Sequence, residues 1–120
     1  MLDKSRLISN KSRKPRLIIT NNFKDELEAV LDYSLWVFGE QTTQQFIEGL
    51  MARIMILPDF PHANPKNRFV KSTKRKTYRY LIYEKYFVIY SVSKSAIRVI
   101  SIIHQAINPK TIKTPTSSSR

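Results

Sequence analysis

The feature that most constrains this chain is a change of hydrophobic period partway along it. From Phe23 to Leu57 apolar residues recur every three or four positions, and from Thr77 to His104 they gather into short runs rich in β-branched and aromatic side chains. A period near 3.6 specifies a helix with one buried stripe, whereas the later runs specify strands. At 120 residues one core is expected, so helices and strands must share it.

Within the helical region, Asn21 and Asn22 follow a short apolar run, Arg16 to Thr20, that reads as a first strand. With Asn22 as N-cap, Asp25 and Glu26 would occupy the first turn and complement the helix dipole. Phe23, Leu27, Val30, Leu31, Ser34 and Phe38 form the expected stripe, Trp36 is expected to be partly in the core, and Gly39 is expected to stop the helix. A second helix is predicted from about Gln41 to Leu57, burying Phe46, Ile47, Leu50, Ile54 and Leu57, with Pro58 discouraging continuation. The short link at Gly39 makes the pair an antiparallel αα-hairpin. The stretch 59 to 67, DFPHANPKN, carries turn chemistry.

The stretch TYRYLIYEKYFVIYSV and the run that follows it break into strands at Tyr78 to Tyr83, Tyr86 to Val92 and Ile97 to His104, a three-strand antiparallel meander. The expected architecture is α+β: an N-terminal strand and a helical hairpin packed on a sheet that the meander completes. Both faces of the meander carry large apolar groups, so one packs on the hairpin and the other calls for a second cover, which a partner can supply. Residues 1–14 and 108–120 are basic and poor in apolar side chains and are expected to be mobile, leaving 15–107 as the folded domain.

Charge is unevenly distributed. The chain carries +12 overall, yet Asp25, Glu26, Glu28, Asp32, Glu40, Glu48 and Asp59 all lie between residues 21 and 59. No acid falls between Asp59 and Glu84, where Lys66, Arg68, Lys71, Lys74, Arg75, Lys76 and Arg79 accumulate. Such a run is either a solvated loop or a surface for an anionic partner. The chain has no cysteine, which excludes disulfides and thiolate metal sites and suits a reducing cytoplasm. No apolar run is long enough to span a bilayer, and the first residues lack a secretory hydrophobic segment. With only Gly39 and Gly49 there is no glycine-rich phosphate loop, and no zinc-protease spacing is present. The helix carboxylates read as solvated, which disfavours a two-carboxylate hydrolase, and His62 has no identifiable metal partners. No cofactor is called for.

The order of strand, helical hairpin, basic loop and meander resembles the RelE/ParE superfamily of bacterial toxins from type II toxin-antitoxin pairs over roughly residues 15 to 109. The signals are Leu27, Leu31, Tyr33, Phe38 and Gly39 in the first helix, the ILP that ends the second at Ile56 to Pro58, and YRYLIYEKYFVIYSV followed by IRVISIIHQAINP. The RelE branch, of ribosome-dependent messenger RNA endonucleases, has an arginine after the tyrosine of the second meander strand, where this chain has Phe87. The ParE branch instead has an arginine near the start of the first meander strand, a YxIxY-like second strand and a closing histidine. Arg79, Tyr86 to Tyr90 and His104 reproduce that spacing. An arginine three residues after the histidine is frequent there, and Ile107 stands in its place.

The resemblance implies a growth-inhibiting toxin, bound by a cognate antitoxin with an acidic amphipathic segment in a hetero-oligomer, with DNA gyrase as target. The alternative it implies is a ribosome-dependent messenger RNA endonuclease, and a third reading is an inactive antitoxin-binding or nucleic-acid-binding module. RNA cleavage requires groups that move protons and stabilise phosphate charge, for which Lys74, Lys76, Arg79 and His104 are the candidates. Arg75, Arg79, Tyr80, Tyr90 and Arg98 are the candidates for contact with a target or antitoxin. Each has a plainer reading too: strand tyrosines mostly pack, and a histidine at a strand end is often structural.

Overall fold

The computed structural model describes residues 14–66 and 75–106. Strand β1 (Arg16–Ile19) leads into helix α1 (Asn21–Phe38). A single residue, Gly39, then joins it to α2 (Glu40–Met55), which is followed by a short 3-10 turn, Leu57–Asp59. The meander comprises β2 (Thr77–Tyr83), β3 (Tyr86–Val92) and β4 (Ala96–His104). Gly39 ends α1 at a φ of 91°, a conformation that side-chain-bearing residues adopt at a steric cost.

The four strands form one sheet in the order β1, β4, β3, β2. The meander pairs are antiparallel, as expected, but β1 joins the sheet parallel to β4, with Leu17 opposite Ile97 and Ile19 opposite Val99. The sheet is therefore mixed. Parallel neighbours need a long crossover, and here everything from α1 to β3 serves as that connection.

The hairpin covers one face of the sheet. Phe23, Leu50, Ile54 and Leu57 from the helical half meet Leu81, Val88, Tyr90, Val92, Ile97, Val99 and Ile102 from the strands, all nearly or completely buried. Burial of side chains of this size stabilises by roughly 1.5–3 kcal/mol each before conformational entropy is subtracted. Alternation along the strands turns Tyr80, Ile82, Phe87 and Arg98 to the opposite face.

Helix α1 is anchored at its start in a way the sequence reading did not anticipate. The N-cap is Thr20, whose hydroxyl accepts the Phe23 N–H at 3.1 Å. Asn22 lies inside the helix and donates its amide to the Ile100 carbonyl at 2.8 Å. The reason is a register shift in β4: Ile89 faces Ser101 and Tyr90 faces Val99, so Ile100 is passed over. Such a bulge leaves backbone groups without ladder partners, and α1 supplies them. Thr20 Oγ1 donates to the Val99 carbonyl at 2.9 Å, and Glu26 accepts from Ser101 Oγ at 2.6 Å and from the Ile102 N–H at 3.0 Å. Glu26 is thus not a solvated carboxylate.

Two apolar expectations are also corrected. Trp36 is 88% exposed and Phe38 60% exposed, so neither ring belongs to the buried core. Tyr33 meets Phe38 edge to face. On α2, Gly49 is required by close packing. A Cβ at this position would collide with the Tyr83 hydroxyl, which donates to the Phe46 carbonyl at 2.9 Å.

Candidate functional site

Arg79 lies on β2 opposite Tyr90 on β3, and cross-strand partners share a face, here the one toward the hairpin. Its guanidinium is occupied by the protein itself. Nη1 donates to the Asn64 carbonyl at 2.6 Å and, at the limit of a hydrogen bond, to the His62 carbonyl at 3.4 Å. The loop is further tied to β2 by the Tyr80 N–H, which donates to the Pro65 carbonyl at 3.1 Å, and by a bridge between Lys66 and Arg79. Asn64 completes the arrangement, since its side-chain amide donates to the Tyr90 hydroxyl at 3.0 Å. Burial pushes the Tyr90 hydroxyl pKa up, opposed by the Asn64 hydrogen bond and the Arg79 charge. Arg79 Nε is buried and has no hydrogen-bond partner among the described residues.

His104 lies at the other end of the sheet. It pairs with Tyr86, which pairs in turn with Tyr83, so it stands two strands from Arg79 and four residues further along. That is roughly 13 Å along the strands and about 10 Å across them. His104 packs edge to face on Tyr86 with centroids 5.1 Å apart, and its Nδ1 accepts the Ala106 N–H at 3.0 Å. It lines a recess of about 520 Å³ between hairpin and sheet, together with Tyr33, Phe38, Phe46, Tyr86 and Lys85. Burial raises the pKa of Tyr86, with Tyr33 adding to the effect. The Tyr83 pKa is also raised, first by burial and then by Glu84, with Arg53 opposing.

Apart from Tyr90, whose hydroxyl accepts from Asn64 beside Arg79, the remaining candidates do not gather around either centre. Tyr80 is on the face away from the helices, edge to face with Phe87 at 5.5 Å. Arg98 is exposed on that same face, between Ser91 and Ile18 in the register. Tyr90 is completely buried in the core. Lys76 precedes β2 with its ammonium 5.9 Å from the Tyr78 ring centroid, and Arg75 is exposed beside it. Lys74, Ile107 and the two terminal segments expected to be mobile lie wholly or almost wholly outside the described residues.

Arg75 and Lys76 do share a cleft of about 660 Å³ at the end of the sheet with His62, Thr77, Val92, Ser93, Lys94 and Ser95. Sequence reasoning found two of its cations and missed Lys94. Nothing in the pattern SVSKSA marks that lysine as facing the loop at His62, because the juxtaposition arises from the β3–β4 turn folding back beside the start of β2. Asn64 was missed for a similar reason: its role depends on Tyr90 and Arg79, both far from it in sequence.

A four-stranded sheet of this order, with a helical hairpin on one face, is the architecture of the RelE/ParE toxins. The sequence matches the family described as the ParE toxin of the type II toxin-antitoxin system, parDE, over residues 17–109, and the chain belongs to that family. Among solved structures it is similar to a chain from the chromosomal ParDE toxin-antitoxin system of P. aeruginosa. The TM-score is 0.63 at 14% identity, covering 77% of this chain and 97% of that one, a likeness of fold. No curated protein matches it in sequence. Among the described residues no helix is long and apolar enough to cross a membrane.

Proposed function

We propose that this toxin arrests bacterial growth by inhibiting DNA gyrase and that a cognate antitoxin with an acidic, amphipathic segment neutralises it. Membership of the ParE family over residues 17–109 carries the proposal. Two features of the fold favour it over RNA cleavage. Arg79 donates to the carbonyls of its own loop, and His104 is held at the opposite end of the sheet by Tyr86 and Ala106. General acid-base chemistry on one phosphate needs its groups within hydrogen-bond reach of common atoms, and these two are separated by far more.

The antitoxin reading is supported by the apolar surface the fold leaves exposed. Met55, Ile56 and Phe60 are all about half exposed or more. Ile56 and Phe60 line a recess with Leu57, Leu81 and the cation Arg53. An amphipathic acidic segment suits such a surface, since it can bury apolar side chains and face a cation together. The similar chain from P. aeruginosa comes from a ParDE toxin-antitoxin system, which is consistent with that assignment.

Regulated expression in a bacterial host tests the reading. Growth should stop on induction while translated messages stay full length, and co-expression of the product of an adjacent short reading frame should restore growth. Messages cut within their coding regions would replace gyrase inhibition with RNA cleavage, and undisturbed growth would exclude toxicity.

A further inference from the structure

The cleft at the end of the sheet is not used by the Arg79 or His104 arrangements. Three segments distant in sequence build it: the loop at His62, the start of β2 at Arg75, Lys76 and Thr77, and the β3–β4 turn at Lys94 and Ser95. Among the described residues none that lines it is acidic. Arg75, Lys76 and Lys94 around one cavity concentrate positive potential there, which attracts an anion. The Thr77 hydroxyl is buried and has no hydrogen-bond partner among the described residues. Arg79 contributes indirectly, because its bonds to the carbonyls of His62 and Asn64 hold the loop that forms one wall.

From this geometry we infer a phosphate-binding site for single-stranded nucleic acid, with a backbone phosphodiester in the cleft and a base against Tyr78. Arg75, Lys76, Lys94 and His62 come to the cleft from three separate segments, and a set of nitrogen donors of this kind suits a phosphate oxyanion. At about 660 Å³ the space exceeds what one side-chain carboxylate would fill. Lys76 lies over the partly exposed Tyr78 ring, and an aromatic face beside cations is how single strands are held irrespective of sequence. The site is independent of the toxin's cellular target and is assayed without gyrase.

The test is anisotropy of a labelled ten-residue oligothymidylate titrated with the full-length chain over a series of sodium chloride concentrations. Two variants remove the same charge: Arg75→Gln with Lys94→Gln in the cleft, and Lys24→Gln with Lys85→Gln away from it. The cleft variant should bind at least about tenfold more weakly, with a salt slope shallower by about 0.7, because a single strand contributes about 0.7 per neutralised phosphate and the cleft holds one. The control pair should lose less than about twofold. Tyr78→Leu should cost about fivefold with the slope unchanged. Equal losses in the two charge pairs would reduce binding to net charge and overturn the site, as would displacement of the probe by polyglutamate as readily as by unlabelled oligonucleotide. No loss in Tyr78→Leu would overturn the single-strand assignment. All these positions are at least partly exposed, and unchanged circular dichroism confirms that the variants fold.

Discussion

Arg79 and Tyr90, opposite one another on β2 and β3, hold the same residue from two sides. The arginine donates to the backbone carbonyl of Asn64, and the tyrosine hydroxyl accepts from its side-chain amide. The loop after α2 is thereby fixed to the centre of the sheet.

Removing either holder should destabilise the fold. Arg79→Ala takes a charged donor from a partly buried carbonyl and should lower stability by about 1.5–3 kcal/mol, and Tyr90→Phe by about 1 kcal/mol. Because both act on Asn64, their effects should fall short of additive. Urea denaturation of the two single variants and the double variant measures this, and full additivity would show that the loop is not a shared element.

At Gly49 the effect is steric. Gly49→Ala should cost about 1–3 kcal/mol, because the methyl group takes the space of the Tyr83 hydroxyl and overpacking forces side chains off their rotamers. Adding Tyr83→Phe removes the colliding atom, and alanine is the better helix former by about 1 kcal/mol. The double variant should therefore be more stable than Gly49→Ala alone, as read from thermal unfolding.

Glu26 secures the β4 bulge. Glu26→Ala leaves the Ile102 N–H and the Ser101 hydroxyl without their acceptor, at an expected cost of about 1.5–3 kcal/mol for losing hydrogen bonds to a charged group. Amide hydrogen exchange at Ile102 should accelerate more than exchange in the middle of α2. Uniform acceleration would indicate a global loss of stability with no special role for the bulge.

Much of this architecture was readable from residue pattern, and the exceptions share a cause. The helical hairpin and meander follow from local periodicity, and Gly39 marks the elbow because few other residues tolerate its φ. The parallel seating of β1 on β4 is set by residues some eighty positions apart, which no local period encodes. Thr20, Asn21 and Asn22 offer three adjacent capping side chains, and the choice among them is made by the carbonyls of a distant bulge. The same holds at the site. Arg79 stood out as a strand arginine, but its partners are backbone carbonyls, which every sequence has and none advertises.

Alkaline pH provides a separate check on the tyrosines. Tyr83, Tyr86 and Tyr90 all have pKa values raised above 10.0, chiefly by burial. The folded state therefore holds these protons more tightly than the unfolded state. Their contribution is intact below pH 10 and is lost as pH rises from there through the folded-state values. Tyrosinate absorbance should show a late-ionising group whose titration coincides with unfolding, and Tyr90→Phe should remove part of it. Complete ionisation near pH 10 with the fold intact would contradict the burial of these hydroxyls.

The most direct measurement of the toxin's action is gyrase supercoiling of relaxed plasmid in the presence of the purified full-length chain. At saturating toxin the plasmid should remain relaxed, and adding the cognate antitoxin should restore supercoiling. Supercoiling at the uninhibited rate would contradict gyrase as the target.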